Sequence, residues 1–239
     1  MSKEIIVSVG FCVWNEEEVI IEVLQNADYD LKRDFGENFE VIVIDNCSTD
    51  STFKIVSKFI ENKPNFKVIR HEYNKLYSGS NNSILIHSKG KFIATVDGDG
   101  QHSMRDIKKS IDLLKSSDSK VFFGWKKYRD DSLLRKITSR GFKIVTKIFL
   151  KNDLNDINCG FRIFESSLKE KIILSEKVNS AGPEFFCLCR KIKIPYIEGP
   201  VIHFRRPSGD GLFNSLPKFI FGVFSFFKYI IRLKRKYNL

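Results

Sequence analysis

Along the N-terminal half of the chain, short apolar runs alternate with stretches whose apolar residues recur every three or four positions. "IIVSVGFCV" (5–13) is rich in β-branched residues and predicts a strand, and "EEEVIIEVLQNA" behind it predicts a helix. "FEVIVID" (39–45) is apolar almost throughout, the pattern of a strand inside a parallel sheet. Asp50 can cap the next helix, in which Phe53, Val56 and Ile60 share a face. "FKVIR" (66–70) predicts a third strand, a helix is expected over 80–88, and "KFIATVD" (91–97) predicts a fourth strand. Ser103 with Asp106 resembles a capping box ahead of Ile107, Ile111 and Leu114, and "KVFFG" (120–124) predicts a fifth strand. This succession predicts an α/β fold: a Rossmann-like, open, mostly parallel sheet flanked by helices on both faces.

The C-terminal half is less regular. It predicts a long amphipathic helix over 133–150, a helix near Glu184, and a short strand within "KIPYIEGPVIHF" (193–204). The last stretch, "FNSLPKFIFGVFSFFKYIIRLKRKYNL" (213–239), holds six phenylalanines and six Lys/Arg with no Asp or Glu. Such a segment suits an amphipathic helix lying at an anionic lipid surface. It equally suits a terminal helix docked on its own domain with a solvated basic end. The first reading divides the chain into a domain over 1–211 and a basic, membrane-associating tail over 212–239.

At 239 residues, 42% of them hydrophobic, the chain can bury a sizeable core. A formal net charge of +11 points to anionic partners: nucleic acid, anionic lipid or phosphorylated small molecules. The five cysteines form no pair of C-x-x-C elements and are expected to be reduced thiols of a cytosolic protein. The start, "MSKEIIVSVG", reads as a strand rather than a signal peptide. No run reaches the roughly 18–20 apolar residues that span a bilayer.

The candidate chemistry lies where the expected strands end. Asn15, Asp45 and Asp97 each sit at such an end, and open parallel sheets bind ligands at the carboxyl ends of their strands. "VDGDGQH" (96–102) places Asp97 and Asp99 in a D-x-D turn whose glycines let both carboxylates converge. Carboxylate pairs are hard oxygen ligands that suit Mg²⁺ or Mn²⁺ together with substrate phosphates. Such an ion would offset the charge of a departing diphosphate.

Further elements follow in order: "VWNEEEVI" (13–20), "VIDNCSTDST" (43–52), "RKITSR" (135–140), "DINCGFRIF" (156–164) and "HFRRPSGDG" (203–211). With "VDGDGQH" they span almost the whole chain. In order and spacing they resemble the family 2 glycosyltransferases of the GT-A fold, and most of all the dolichol-phosphate mannosyltransferase group. Val13 stands near the family's usual proline, Asn46 and Cys47 replace its Asp and Gly, and Gly211 replaces its Ser. The resemblance implies an inverting enzyme that moves mannose or glucose from a nucleotide sugar (GDP-mannose or a UDP-hexose) to a polyprenyl phosphate at the cytoplasmic membrane face. It implies that Val13, Asn15, Glu16 and Asp45 line the donor pocket, with Asp45 accepting from the base. Asp97, Asp99 and Gln101 would hold a divalent metal and the diphosphate. Lys126, Arg135, Ser139 and Arg206 would surround the acceptor phosphate.

Many such enzymes deprotonate a hydroxyl acceptor with the aspartate of an E-D pair, but here Glu184 is followed by Phe185. A phosphate monoester, with a second pKa around 6, needs positioning more than deprotonation. The missing aspartate therefore favours a lipid-phosphate acceptor. The alternative, a sugar hydroxyl in surface-glycan synthesis, would require Glu184 as base. His102 is expected to support the metal motif by a hydrogen bond. A nucleic-acid-binding protein is suggested by charge alone and lacks any motif for it. A non-catalytic sugar-nucleotide-binding protein is disfavoured by the intact Asp97, Asp99 and Gln101.

Overall fold

The two most apolar runs become neighbouring strands. β1 (Val7–Val13) and β2 (Phe39–Asp45) pair in parallel, Val7 opposite Phe39 and Val13 opposite Asp45, and every residue of β2 is buried. The structure is a computed structural model that describes residues 4–127, 133–175, 178–205 and 216–238; side chains of 133–138 and 216–221 also lie outside the described set. β3 (Phe66–Arg70) pairs with β2, and β4 (Phe92–Asp97) pairs with the other edge of β1, both in parallel. β5 (Val121–Lys126) and β7 (Tyr196–Val201) are also parallel to each other.

Between β4 and β5 lies β6 (Arg162–Glu165), antiparallel to both, which gives a seven-stranded sheet in the order β3-β2-β1-β4-β6-β5-β7. The sequence pattern gave no sign of β6. It is four residues long, too short to show a period, and its partners are distant in sequence.

Seven helices occur among the described residues: α1 (Ile20–Phe35), α2 (Thr52–Ile60), α3 (Leu76–His87), α4 (Arg105–Lys115), α5 (Leu133–Leu150), α6 (Gly182–Lys191) and α7 (Leu216–Tyr237). They cover the two sheet faces unequally. On one face α1, α2 and α4 pack on Val9, Phe11, Val41 and Val96; on the other α3, α5, α6 and α7 pack on Ile42, Ile44, Ile93 and Phe123. Two local expectations change. α3 begins at Leu76, four residues before the expected start. Asp106 takes no part in a capping box, because its Oδ2 accepts from the Ile202 backbone N–H at 2.6 Å and so ties α4 to the end of β7.

Within the segment set apart by sequence as a tail, the described part of α7 packs on the body. The division at 211/212 lies outside the described residues, but α7 contributes Tyr229, Ile230, Leu233 and Tyr237 to the second core.

Gly10, in the middle of β1, lets α3 approach the sheet. A Cβ there would lie 2.3 Å from Ile84 Cγ2, inside the closest contact such atoms make. Gly10→Ala is expected to lower stability by about 1–3 kcal/mol through overpacking. In thermal or urea unfolding, Gly10→Ala with Ile84→Ala should cost clearly less than the sum of the two single changes. Additive costs would show that the contact does not limit the packing.

Candidate active site

The sheet register assembles the site. Val13 is opposite Asp45 across β1–β2, and Cys12 is opposite Asp97 across β1–β4. Asp45 and Asp97 therefore end their strands at the same end of the sheet, one position apart along β1, with Asn15 just beyond Val13. The loops after β1 and β2 are joined by hydrogen bonds. Asn15 N–H donates to Ser48 Oγ (3.0 Å) and Asn15 Oδ1 accepts from Thr49 N–H (2.8 Å). Glu16 N–H donates to Thr52 Oγ1 (2.9 Å), and Asp50 accepts from the backbone N–H groups of both Thr52 and Glu17. Asp50 is not the N-cap of α2, which is Ser51; it turns the chain just ahead of the helix and fastens it to the β1 loop. Its carboxyl is held below the usual range: burial works against this, but the hydrogen bonds from Thr52 and Glu17 prevail.

Asn15 and Cys47 both adopt left-handed backbone conformations, φ 54° and 64°. That conformation costs a residue with a Cβ roughly 1–2 kcal/mol. Cys47 stands where the family pattern has glycine, so the backbone keeps the glycine shape without the glycine. Asn46, the other substitution, accepts at Oδ1 from Lys75 N–H (2.9 Å), with His71 Nδ1 also 2.9 Å away, and donates to Asn74 (2.8 Å). Its amide anchors the 71–75 segment.

Asp45 is fully buried. Its Oδ1 accepts from Ser48 N–H at 3.3 Å, and Arg70 Nε lies 3.3 Å from Oδ2 without hydrogen-bond geometry. Val13 is also buried and would meet a Cβ on Gly98 at 2.6 Å, so its side chain acts as packing under the D-x-D turn.

Asp97 ends β4 with its carboxylate fixed from two sides. The Tyr77 hydroxyl donates to Oδ1, and burial together with Asp97 raises the Tyr77 pKa well above normal, so this donor keeps its proton. On the other side Gly160 comes so close that a Cβ there would lie 2.0 Å from Oδ2. Gly100 turns the chain at φ 75°, and Asp99 Oδ1 accepts from Gln101 N–H at 3.2 Å. Gln101 is buried; its Nε2 donates to Phe204 O (3.0 Å) and its carbonyl accepts from Phe204 N–H (2.8 Å), which ties the turn to the segment after β7.

His102 departs from its expected role. Its Nε2 is 4.0 Å from Asp97 Oδ2, and neither ring nitrogen makes a hydrogen bond. The ring instead packs edge-on against His203 at 5.1 Å, and burial lowers its pKa to about 4, leaving it neutral.

In sequence Arg162 enters only through the "DINCGFRIF" element, and Tyr77 is passed over. Arg162 is buried on β6, and its Nε and Nη1 make no hydrogen bond. Its charge acts on Cys12, Tyr77 and His102, around Asp97. An alternating strand pattern could have shown that Arg162 points inward, but β6 is too short to carry one. Tyr77 gives no signal in sequence.

Among the described residues no group of three or more His, Cys, Asp or Glu gathers to hold a metal. Two carboxylates on one turn still suit a hard cation whose other ligands arrive with a diphosphate, so the residues fit Mg²⁺ or Mn²⁺. Lys126 ends β5, and its charge is felt at His102, so it borders this region. Ser139 lies partly buried on α5; the Arg135 side chain and all of Arg206 are outside the described residues. Glu184 is not brought to the aspartates. It is 0% exposed, and its carboxylate accepts from Ser175 N–H (2.6 Å), Lys236 Nζ (2.7 Å) and Tyr237 OH (3.1 Å).

Residues 8–173 match the family model described as Glycosyl transferase family 2. A dolichyl-phosphate beta-glucosyltransferase of Dictyostelium discoideum is 27% identical over 181 residues, 70% of this chain and 55% of that protein. One from Saccharomyces cerevisiae is 27% identical over 192 residues, 71% of this chain and 58% of that protein. The chain thus spans little more than half the length of these relatives. The solved structure of a mannosyltransferase from Pyrobaculum calidifontis, in complex with GDP-Man and Mn²⁺, superposes with a TM-score of 0.65 at 17% identity, over 100% of this chain and 71% of that one. That likeness shows the fold, which is the GT-A arrangement expected from sequence.

Gly160→Ala is expected to displace the Asp97 carboxylate and weaken Mn²⁺-dependent nucleoside diphosphate binding by about 10- to 100-fold. Calorimetric titration would measure this; unchanged affinity would mean that the close approach of Gly160 does not position Asp97.

Proposed function

The chain belongs to glycosyl transferase family 2, and from that premise we propose that it transfers a glucosyl group, with inversion, from a nucleotide sugar to a polyprenyl or dolichyl phosphate at the cytoplasmic face of a membrane. The names of the two curated relatives favour glucose over mannose. Asn15, Glu16 and Asp45 border the nucleotide, and Asp97, Asp99 and Gln101 face the diphosphate. Mg²⁺ or Mn²⁺ held there would stabilise the charge on the departing diphosphate. An oxygen of the acceptor phosphate attacks the anomeric carbon. The new bond joins sugar to phosphate as the bond from that carbon to the diphosphate oxygen breaks and the nucleoside diphosphate leaves. Lys126, Arg135, Ser139 and Arg206 orient the acceptor phosphate, for which arginine's planar fork is well suited.

The observation that carries the choice of acceptor is the engagement of Glu184. With three donors on its carboxylate, this group is poorly placed to take a proton from a sugar hydroxyl. An acceptor that is already anionic needs no such base.

Radiolabel transfer from UDP-glucose, GDP-mannose and related donors should yield an acid-labile, lipid-extractable product that requires a divalent ion and polyprenyl phosphate. Asp99→Asn should reduce transfer by roughly 100- to 1000-fold. Label in a water-soluble glycan instead would favour the hydroxyl acceptor. Glu184→Gln separates the two acceptor readings. If Glu184 only clamps α7, transfer at low temperature persists while stability falls by about 1–3 kcal/mol. If it is the base, transfer is lost at low temperature as well, where the variant is still folded.

A further inference from the structure

α5 and α7 differ from the rest of the molecule in charge. α5 carries five Lys/Arg and α7 six, and neither contains Asp or Glu. These eleven cations equal the formal net charge of +11, so the remainder of the chain is balanced. The two helices lie against each other, with the Phe142 ring 4.4 Å from Phe226 and the Phe149 ring 5.3 Å from Phe227. Their inner sides enter the second core through Leu150, Tyr229, Ile230 and Leu233.

Their outer sides are apolar as well as basic. Ile144 and Ile148, one turn apart on α5, are 58% and 66% exposed; Phe224 on α7 is 57% exposed. Phe227 is 37% exposed while it packs on Phe149, so the seam between the helices opens onto this surface and joins its two halves. Arg140, Lys147, Lys228 and Arg235 are exposed around these residues.

We infer that α5 and α7 together form one docking face for an anionic lipid bilayer, on which both helices lie flat. This deepens the proposed function and rests on its lipid acceptor. Aliphatic and aromatic side chains ringed by cations, with no anion among them, match the boundary between acyl chains and acidic headgroups. No helix among the described residues is long and apolar enough to cross a membrane. Nucleic acid would leave Ile144 and Ile148 without stacking partners. A second copy would bring this basic face against another of the same sign. By sequence position the N-terminal part of α5 holds Arg135 and Ser139, so this face places the acceptor-phosphate motif beside the headgroup layer.

The test is flotation of the full chain with phosphatidylcholine vesicles containing about 30 mol% phosphatidylglycerol. The wild type should float, float poorly with phosphatidylcholine alone, and lose about tenfold in binding at high salt. Ile148→Glu with Phe224→Glu should abolish flotation and leave the melting temperature unchanged, since both residues are exposed. Tyr29→Glu, at an equally exposed position on α1 across the sheet, should float as the wild type does. Flotation of the α5/α7 double variant at the wild-type level, or no flotation of the wild type, overturns the proposal. So does a concentration-dependent dimer that the double variant loses, which would assign the face to a second copy. Flotation without transfer to lipid phosphate would leave the face standing and reject the reaction. Transfer to detergent-dispersed acceptor by a protein that never floats would do the reverse.

Discussion

The parallel pairing of β1 with both β2 and β4 is the constraint on which the rest depends. In-register pairing brings the Val13–Asp45 and Cys12–Asp97 pairs to successive positions at the carboxyl ends of three strands. A slip of one residue in either pair would turn every side chain of the slipped strand to the opposite face and remove one aspartate from the edge. The register is fixed because the sheet is buried on both faces. Val7, Val9 and Phe11 face one core, while Gly10 and Ile84 admit α3 on the other. The same packing that stabilises the fold therefore sets the spacing of the candidate site.

Several groups at that edge are placed at a local cost. Asn15 and Cys47 hold left-handed backbone, and Arg162 and His102 are buried with nitrogens that make no hydrogen bond. Features of this kind persist only where the surroundings over-determine them, and they concentrate at functional sites. Here the surroundings can be named: the hydrogen bonds from Asn15, Glu16 and Glu17 to the 48–52 segment, and the contacts of Tyr77 and Gly160 with Asp97. An anionic ligand that reached Arg162 would relieve part of the cost by accepting from Nε and Nη1, which make no hydrogen bond among the described residues.

What could be read from sequence divides along physical lines. β1, β2, β4 and the 133–150 helix were legible because each carries a strong local period or an unbroken apolar run. The D-x-D turn was legible because two carboxylates one residue apart at a strand end have a chemical meaning of their own. β6 was not legible, since its existence depends on pairing with strands far away in the chain. The positions of Tyr77 and Gly160 against Asp97 are likewise tertiary facts, visible only once α3 and β6 flank β4. Glu184 shows another limit. Sequence offered it as a base only for a hydroxyl acceptor, and could not show that its carboxylate accepts from Ser175, Lys236 and Tyr237. A motif position can specify where a residue lies in the chain without specifying which way it faces.

Glu184 also connects the two halves of the functional reading. By accepting from Lys236 and Tyr237 it fixes the C-terminal turn of α7, and Tyr229 reinforces the contact by donating to Ser180 O at 2.9 Å. α6, which carries Glu184, begins at Gly182, where a Cβ would lie 3.3 Å from Arg162 Nη2. One short helix thus touches the buried arginine near Asp97 at its start and clamps the basic helix α7 on its side. If the acceptor is a membrane lipid, as proposed, the catalytic edge must be held at a fixed height above the headgroups. A rigid connection through α6 meets that requirement in a way that a flexible basic tail would not, because a tail would tether the domain to the membrane without orienting it.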